Sequence, residues 1–338
     1  MAQFAGKNFT RKELSERVGS ISQIDEVTRF AYQEGRAKGL EGISFRTGSG
    51  LDFVVLPGRG MDLGIASFRG LPLCWLSPAA YSGPEYFEPQ GDGWLRSFAG
   101  GLLTTCGLTY LGDPCQDEGE ELGLHGRIAN TPAQHVCTWT RWEGDDYYLH
   151  ASGQVREASA FGPNVVMTRT ITAKLGEAKI FLRDEVENQG FEKVPHMILY
   201  HINLGYPLVC EDSELKLPPH TTIPKDPVAE ANPDYASFAA PTYGYQPRVY
   251  YHMLKNTEEK ATITLTGSGL KLDLTYHPGQ LPNLVHWKRF EQGSYVLGLE
   301  PANCRVDGRA EERARGTLSY LKPGEKRCYE LEFAVSAI

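Results

Sequence analysis

The chain has 338 residues and a formal charge of −8, with 34 Lys and Arg against 42 Asp and Glu. Apolar residues make up 41%, charged residues 22% and aromatic residues 11%, which excludes a disordered, collagen-like or coiled-coil chain. The acidic surplus, with no Lys/Arg-rich run to offset it, argues against a nucleic-acid partner.

The N-terminal stretch MAQFAGKNFTRKELSERVG lacks the apolar core of a signal peptide, and the longest uncharged apolar-rich run, Met197 to Cys210, is interrupted by His201 and Asn203. The expectation is a cytoplasmic protein with no membrane partner. Thr10 can cap a short helix over Arg11 to Val18, and Asp25 another over Glu26 to Gln33. Beyond these, strands dominate. Segments such as LDFVVLP, NVVMTRTITA, KIFLRDEVEN, HMILYHINL, LVHWKRF, SYVLGLE and RCYELEFAV recur between Gly, Pro, Asn and Asp clusters, which predicts an all-β chain of antiparallel sheets with a few short helices. In KIFLRDEVEN, Ile180, Leu182 and Val186 share one face while Arg183, Glu185 and Glu187 share the other. No stretch is long enough and rich enough in Pro, Ser and Gly to be a linker, so residues 1–338 read as one domain with 1–40 as an N-terminal extension packed on it. Pro218 to Tyr245 reads as a long irregular excursion of the kind that rims a binding site.

Seven cysteines (Cys74, Cys106, Cys115, Cys137, Cys210, Cys304, Cys328) form an odd set without a C-x-x-C pair, and are expected as reduced, mostly buried thiols. Gly58-Arg59-Gly60-Met61-Asp62-Leu63-Gly64 has the wrong spacing for a dinucleotide loop, and a tight turn with Arg59 buried or facing a cleft fits better. There is no G-x-S-x-G elbow, Walker loop or H-E-x-x-H element. Asp117, Glu118, Glu120 and Glu121 read as a solvated loop rather than a glycosidase carboxylate pair.

Three residues stand in unusual company. His125 is flanked by glycine in Leu122-Gly-Leu-His125-Gly126-Arg127, where the backbone can turn sharply and leave the imidazole accessible; a histidine that merely serves the turn is the competing reading. His201 lies in an apolar strand and by alternation shares a face with Leu199 and Asn203, opposite Tyr200, Ile202 and Leu204; a satisfied core histidine is the alternative there. Glu300 ends the apolar run Val296-Leu-Gly-Leu-Glu300 just before Pro301, where burial would raise its pKa and make it a usable base near neutrality. Two histidines and a glutamate suit zinc by type, but their dispersal carries no ligand-spacing signature, so no metal and no cofactor is expected.

The set L-H-G-R, Y-H-I-N-L-G-Y-P and L-G-L-E-P, in that order, resembles the aldose 1-epimerase (galactose mutarotase) superfamily. P-G-R-G-M-D, G-G-L-L-T-T-C-G-L, D-E-G-E-x-L-G-L-H-G-R and L-E-P-A-N-C mark an uncharacterised branch of it. The resemblance runs from Leu56 to about Tyr320. It implies a galactose mutarotase-like β-supersandwich and an isomerase of carbohydrate metabolism that binds a small-molecule carbohydrate, with a homodimer as a candidate assembly. It also implies that Glu300 removes the anomeric hydroxyl proton, that His201 protonates the ring oxygen, and that His125 orients the sugar or shares the acid role. Tyr200 stands where the family usually has Asn, and Ala302-Asn303 where it has Gln. Arg59, Arg96, Arg127, Asn203 and Asn303 are candidates to grip hydroxyls or a carboxylate, though for each arginine a structural salt bridge competes. Trp75, Trp94 and Tyr243 are candidates to stack on a sugar face. A carbohydrate-binding protein without turnover, or another sugar isomerase, epimerase or lyase on the same fold, are the alternative functions.

Overall fold

The computed structural model describes residues 2–338. Two large antiparallel sheets face each other. The larger runs in the order His220–Pro224, Arg248–Leu254, Asn283–Glu291, Ser294–Ala302, Met197–Gly205, Leu103–Leu108, Asp62–Phe68, Leu51–Leu56, Glu41–Arg46 and Glu26–Ala31, with Leu71–Pro72 beside Asp62–Phe68. The second runs Gln134–Glu143, Asp146–Ala158, Asn164–Lys174, Lys179–Asn188, Lys326–Ala337, Leu270–Tyr276, Ala261–Gly267 and Glu214–Lys216. Antiparallel pairing lets neighbours in sequence join by tight turns, which explains the density of Gly and Pro between the strands.

Alternation sorts each strand onto two faces. In Lys179–Asn188 the buried positions are Ile180, Leu182, Asp184, Val186 and Asn188, so the expected apolar face is present and two polar residues share it. The inward faces of both sheets form one core that includes Phe45, Phe53, Leu149, Ile171, Leu182, Tyr200, Ile202, Leu204, Leu272 and Phe333. A second cluster, with Trp94, Phe98, Cys106, Leu199, Tyr251 and Val285, covers the other face of the larger sheet. Ala2, Leu14 and Ile24 pack on Tyr147 and Leu175 at one end.

A buried ion cluster joins the sheets through the core. Arg169, fully buried on Asn164–Lys174, donates to Asp184 from Nε (2.8 Å) and Nη2 (2.6 Å) in its own sheet. It reaches across to Asp62 Oδ1 (2.9 Å) and Thr105 Oγ1 (2.9 Å) in the larger sheet. Tyr200 closes the cluster by donating its hydroxyl to Asp184 Oδ2 (2.8 Å). Tyr200 thus has a place on the inter-sheet face, back to back with His201.

The structure corrects several expectations. Asp25 does not cap a helix: Glu26–Ala31 is a strand paired with Glu41–Arg46, because Val27, Phe30 and the β-compatible run around them gain a sheet partner that a short helix could not offer. The Thr10 cap is present as a capping box with Glu13, but the helix ends earlier than expected, at Arg11–Ser15. The acidic stretch is a hairpin, Cys115–Asp117 with Glu120–Leu122, rather than a solvated loop, and Asp117 is buried between Arg309 (2.6 Å) and Arg313 (2.8 Å). Pro218 to Tyr245 is less irregular than expected, since it contains the edge strand His220–Pro224 and the short helix Pro227–Glu230. All seven cysteines are free, with Cys137 exposed and Cys115 and Cys328 half-buried. Among the described residues no helix is long and apolar enough to cross a membrane.

Replacing Arg169 with methionine would leave Asp62 and Asp184 buried without their counter-charge. The expected cost is about 3–5 kcal/mol, measured by urea unfolding. Tyr200→Phe is expected to cost about 1.5–3 kcal/mol by removing one hydrogen bond to a charged group. A cost below about 1 kcal/mol for Arg169→Met would show that the cluster does not hold the sheets together.

Candidate active site

Strand register brings two of the three singled-out residues together. Leu199 pairs with Ala302 and Asn203 with Gly298, so His201 stands across from Glu300 on adjacent strands of the larger sheet. Both point away from the inter-sheet core, and His201 Nε2 lies 3.3 Å from Glu300 Oε1. Val285 is the partner of Glu300 on its other side, and Trp287 the partner of Gly298.

His125 arrives from a loop. Its φ of 57° and that of Gly126, 80°, place two successive residues in the left-handed region. Backbone bonds hold the turn: His125 N donates to Gly112 O (3.0 Å), Gly107 N to His125 O (3.2 Å) and Arg127 N to Gly107 O (3.1 Å). A Cβ at position 126 would lie 2.5 Å from both Gly107 O and Tyr110 O, so only glycine lets the strand end approach this closely. The His125 ring then sits edge-on to His201, centroids 5.9 Å apart.

The three side chains line one cavity of about 380 Å³. Its walls are aromatic: Trp94 and Phe98 stack on each other (4.5 Å), Trp94 meets His125 (4.8 Å), and Phe98 and Trp287 flank His201 (5.1 and 5.5 Å). Trp75 completes the lining. Polar atoms stand among these rings without a protein hydrogen bond: His125 Nδ1, His201 Nδ1, Trp94 Nε1 and Glu300 Oε1. Buried polar atoms are nearly always paired, so four orphans around one hollow suit a polar ligand. Around them Lys225 pairs with Asp113 (2.7 Å) and Arg289 with Glu291 (2.5 Å), and Ser77 and Ser294 add hydroxyls to the lining.

Burial sets the protonation states. Glu300 is 2% exposed, and loss of hydration pushes its carboxyl well above the usual range. The same desolvation lowers His201 to about 4, and together with the nearby His201 and Lys225 it lowers His125 to about 3. Near neutrality both imidazoles are therefore uncharged, and the same burial favours the protonated form of Glu300. Among the described residues no group of three or more His, Cys, Asp or Glu is arranged to hold a metal ion.

The residues expected to grip the sugar lie elsewhere. Arg59 is buried in the tight turn, donating to Ser97 O (2.6 Å), and Arg96 forms an exposed pair with Glu88 (2.7 Å). Arg127 is exposed beside Tyr110, and Tyr243 is 88% exposed on the 218–245 segment, outside the cavity lining. Asn203 donates to Gly101 O and His201 O, while Asn303 accepts from Ile198 N and donates to His196 O, so both brace the His201 strand. Of the proposed stacking residues, Trp75 and Trp94 do line the cavity. Asp113, Lys225, Trp287, Arg289 and Ser294 were not singled out. Trp287 and Arg289 alternate with His286 and Lys288, so knowing which face Glu300 uses would have found them.

A family model described as Domain of unknown function (DUF4432) matches residues 37–335. No curated protein matches the sequence. Among solved structures the chain is similar to a Klebsiella pneumoniae protein provisionally described as an aldose 1-epimerase, with a TM-score of 0.87 and 22% identity over 91% of this chain and 83% of that one. A galactose mutarotase-like protein from Clostridium acetobutylicum gives a TM-score of 0.64 at 12% identity, covering 94% and 100% of the two chains. Galactose 1-epimerase from Lactobacillus acidophilus gives 0.59 at 14%, covering 93% and 99%. The fold is the galactose mutarotase-like sandwich of antiparallel sheets.

The buried carboxyl should weaken the fold at neutral pH. Because Glu300 keeps its proton to higher pH when folded than when unfolded, its penalty is absent below about 4.5 and grows as pH rises toward the folded value. Glu300→Gln is therefore expected to raise the urea midpoint at pH 7.5, with the gain vanishing at pH 4. The lowered imidazoles act in the opposite window: their contribution is whole above about 6.5 and is lost as pH falls, so His201→Gln should flatten the acid limb of the stability curve. Equal midpoints for Glu300→Gln and the parent at pH 7.5 would contradict the burial argument.

Proposed function

The chain belongs to the DUF4432 family, and from its fold and cavity we propose that it is an aldose 1-epimerase, exchanging the anomers of a free sugar or sugar derivative. The observation that carries this reading is the His201–Glu300 pair, 3.3 Å apart in an aromatic-walled cavity, with His125 beside it.

Anomer exchange needs one proton removed from the anomeric hydroxyl and one delivered to the ring oxygen, with no net gain or loss. The pair supplies this when it carries a single proton, the state that the raised carboxyl and the lowered imidazole favour. With that proton on His201 and Glu300 ionised, Glu300 takes the hydroxyl proton while His201 protonates the ring oxygen. The C1–O5 bond breaks and C1=O1 forms, leaving Glu300 protonated and His201 neutral. Those are the states that burial favours in the unliganded cavity. After rotation about C1–C2 the two groups act in reverse: His201 takes the proton back as O5 attacks C1, and Glu300 returns one to O1. His125, neutral and with an unpartnered Nδ1, orients the sugar by hydrogen bonding or shares the acid role. Trp94, Trp75 and Trp287 suit the apolar faces of a pyranose, and Lys225, Arg289, Asp113 and Ser294 suit its hydroxyls or an acidic substituent. Positioned acid and base groups contribute roughly 10²- to 10⁴-fold, enough for a reaction that already proceeds slowly in water.

The test is exchange from a pure anomer, followed by polarimetry or NMR across neutral, acidic and phosphorylated aldoses. Acceleration over buffer is expected for at least one sugar, with Glu300→Gln and His201→Gln each lowering turnover by about 10²- to 10⁴-fold while binding persists. The rate should fall as pH drops toward 4, where His201 takes a second proton into the pair. Binding without exchange in every sugar would leave a carbohydrate-binding protein in place of an enzyme.

A further inference from the structure

Gly298 lies two residues before Glu300 on the same strand and face, and it is buried. Its backbone is not in the left-handed region, so conformation alone does not demand glycine. Space does. An ideal Cβ at position 298 overlaps Glu300 Oε1 and stands 3.2 Å from Glu300 Cδ and 3.1 Å from Trp287 Cβ. The Glu300 side chain is thus folded back along its own strand, its carboxylate occupying the place a residue-298 side chain would take. Oε1 makes no hydrogen bond in the protein, so its place 3.3 Å from His201 Nε2 depends on the room left at position 298.

We infer that Gly298 is a positioning residue whose missing side chain forms the slot that sets the Glu300 carboxylate against His201. The inference deepens the acid–base reading of that pair and rests on it. A methyl group at 298 turns the carboxylate out of the slot, and misplacement by about 1 Å is enough to cost roughly 10²-fold in rate. Trp287, whose Cβ stands 3.1 Å from the added methyl, gives by only a few tenths of an ångström, whereas the overlapping carboxylate must leave its place, so the loss falls on kcat far more than on KM.

The test is a double-mutant cycle between Gly298→Ala and Glu300→Asp. Asp is one methylene shorter and does not reach back over position 298. Gly298→Ala should lower kcat about 10²-fold with Glu300 present, but less than about 3-fold in the Glu300→Asp background. Affinity for an unreactive methyl glycoside of the turned-over sugar should change less than about 3-fold. The same cycle read on the ¹⁵N resonances of the His201 ring needs no turnover: Gly298→Ala should shift them only when Glu300 is present. Additive effects in both readouts would overturn the inference, as would a Gly298→Ala protein that fails to fold whichever residue stands at 300. A parent protein without turnover but with a non-additive imidazole cycle would leave the slot intact and remove the epimerase reading instead.

Discussion

One buried guanidinium ties the two sheets together. Arg169 spans the core from Asp184 on one sheet to Asp62 and Thr105 on the other, and none of these side chains has appreciable access to water. A buried cation tolerates few arrangements, because each carboxylate it loses becomes an unpaired charge in a medium that cannot solvate it. The cluster therefore specifies how one sheet lies on the other. Tyr200 extends it to the strand that carries His201, and alternation makes the two residues opposite sides of one constraint: fixing Tyr200 on Asp184 fixes the outward direction of His201.

The outward face follows the opposite rule. Inside the sandwich every charge of the cluster has its partner, whereas around the cavity His125, His201, Trp94 and Glu300 keep polar atoms unpaired. Aromatic walls deepen the effect by desolvating the carboxyl and imidazoles, raising one and lowering the others, which favours the neutral form of each. Such a site opposes stability locally and is tolerated because Arg169 and the large apolar core beneath it hold the strands regardless. His125 depends on a different device, two left-handed residues in a row, which only the Gly126 approach to Gly107 O and Tyr110 O makes room for.

Much of this was readable along the chain. The alternation in KIFLRDEVEN and in YHINL placed residues on faces correctly, and the Thr10–Glu13 capping box is a signal between neighbours. His125, His201 and Glu300 could be picked out because glycine flanks, a histidine in an apolar strand and a glutamate before proline are local oddities. The candidates for gripping a sugar were chosen by chemical type, and type does not say where a side chain goes. Asn303 spends its amide on Ile198 and His196, and Arg59 reaches Ser97 O, because each meets a backbone group supplied by a distant segment. Asp25 misled in the same way: its capping chemistry was real in isolation, and the partner strand Glu41–Arg46 outweighed it.

By itself the sequence determined the all-β character, the face each strand residue takes and the identity of the acid–base candidates, since period-two alternation and turn chemistry act between residues a few positions apart. Only the tertiary structure decided that Glu300 lies across from His201, that Lys225 and Arg289 join them, and that Gly298 makes room for the carboxylate. Those meetings depend on which strands become neighbours across roughly a hundred residues. That choice is made by burying complementary faces and satisfying Arg169, neither of which leaves a mark on any short stretch of chain.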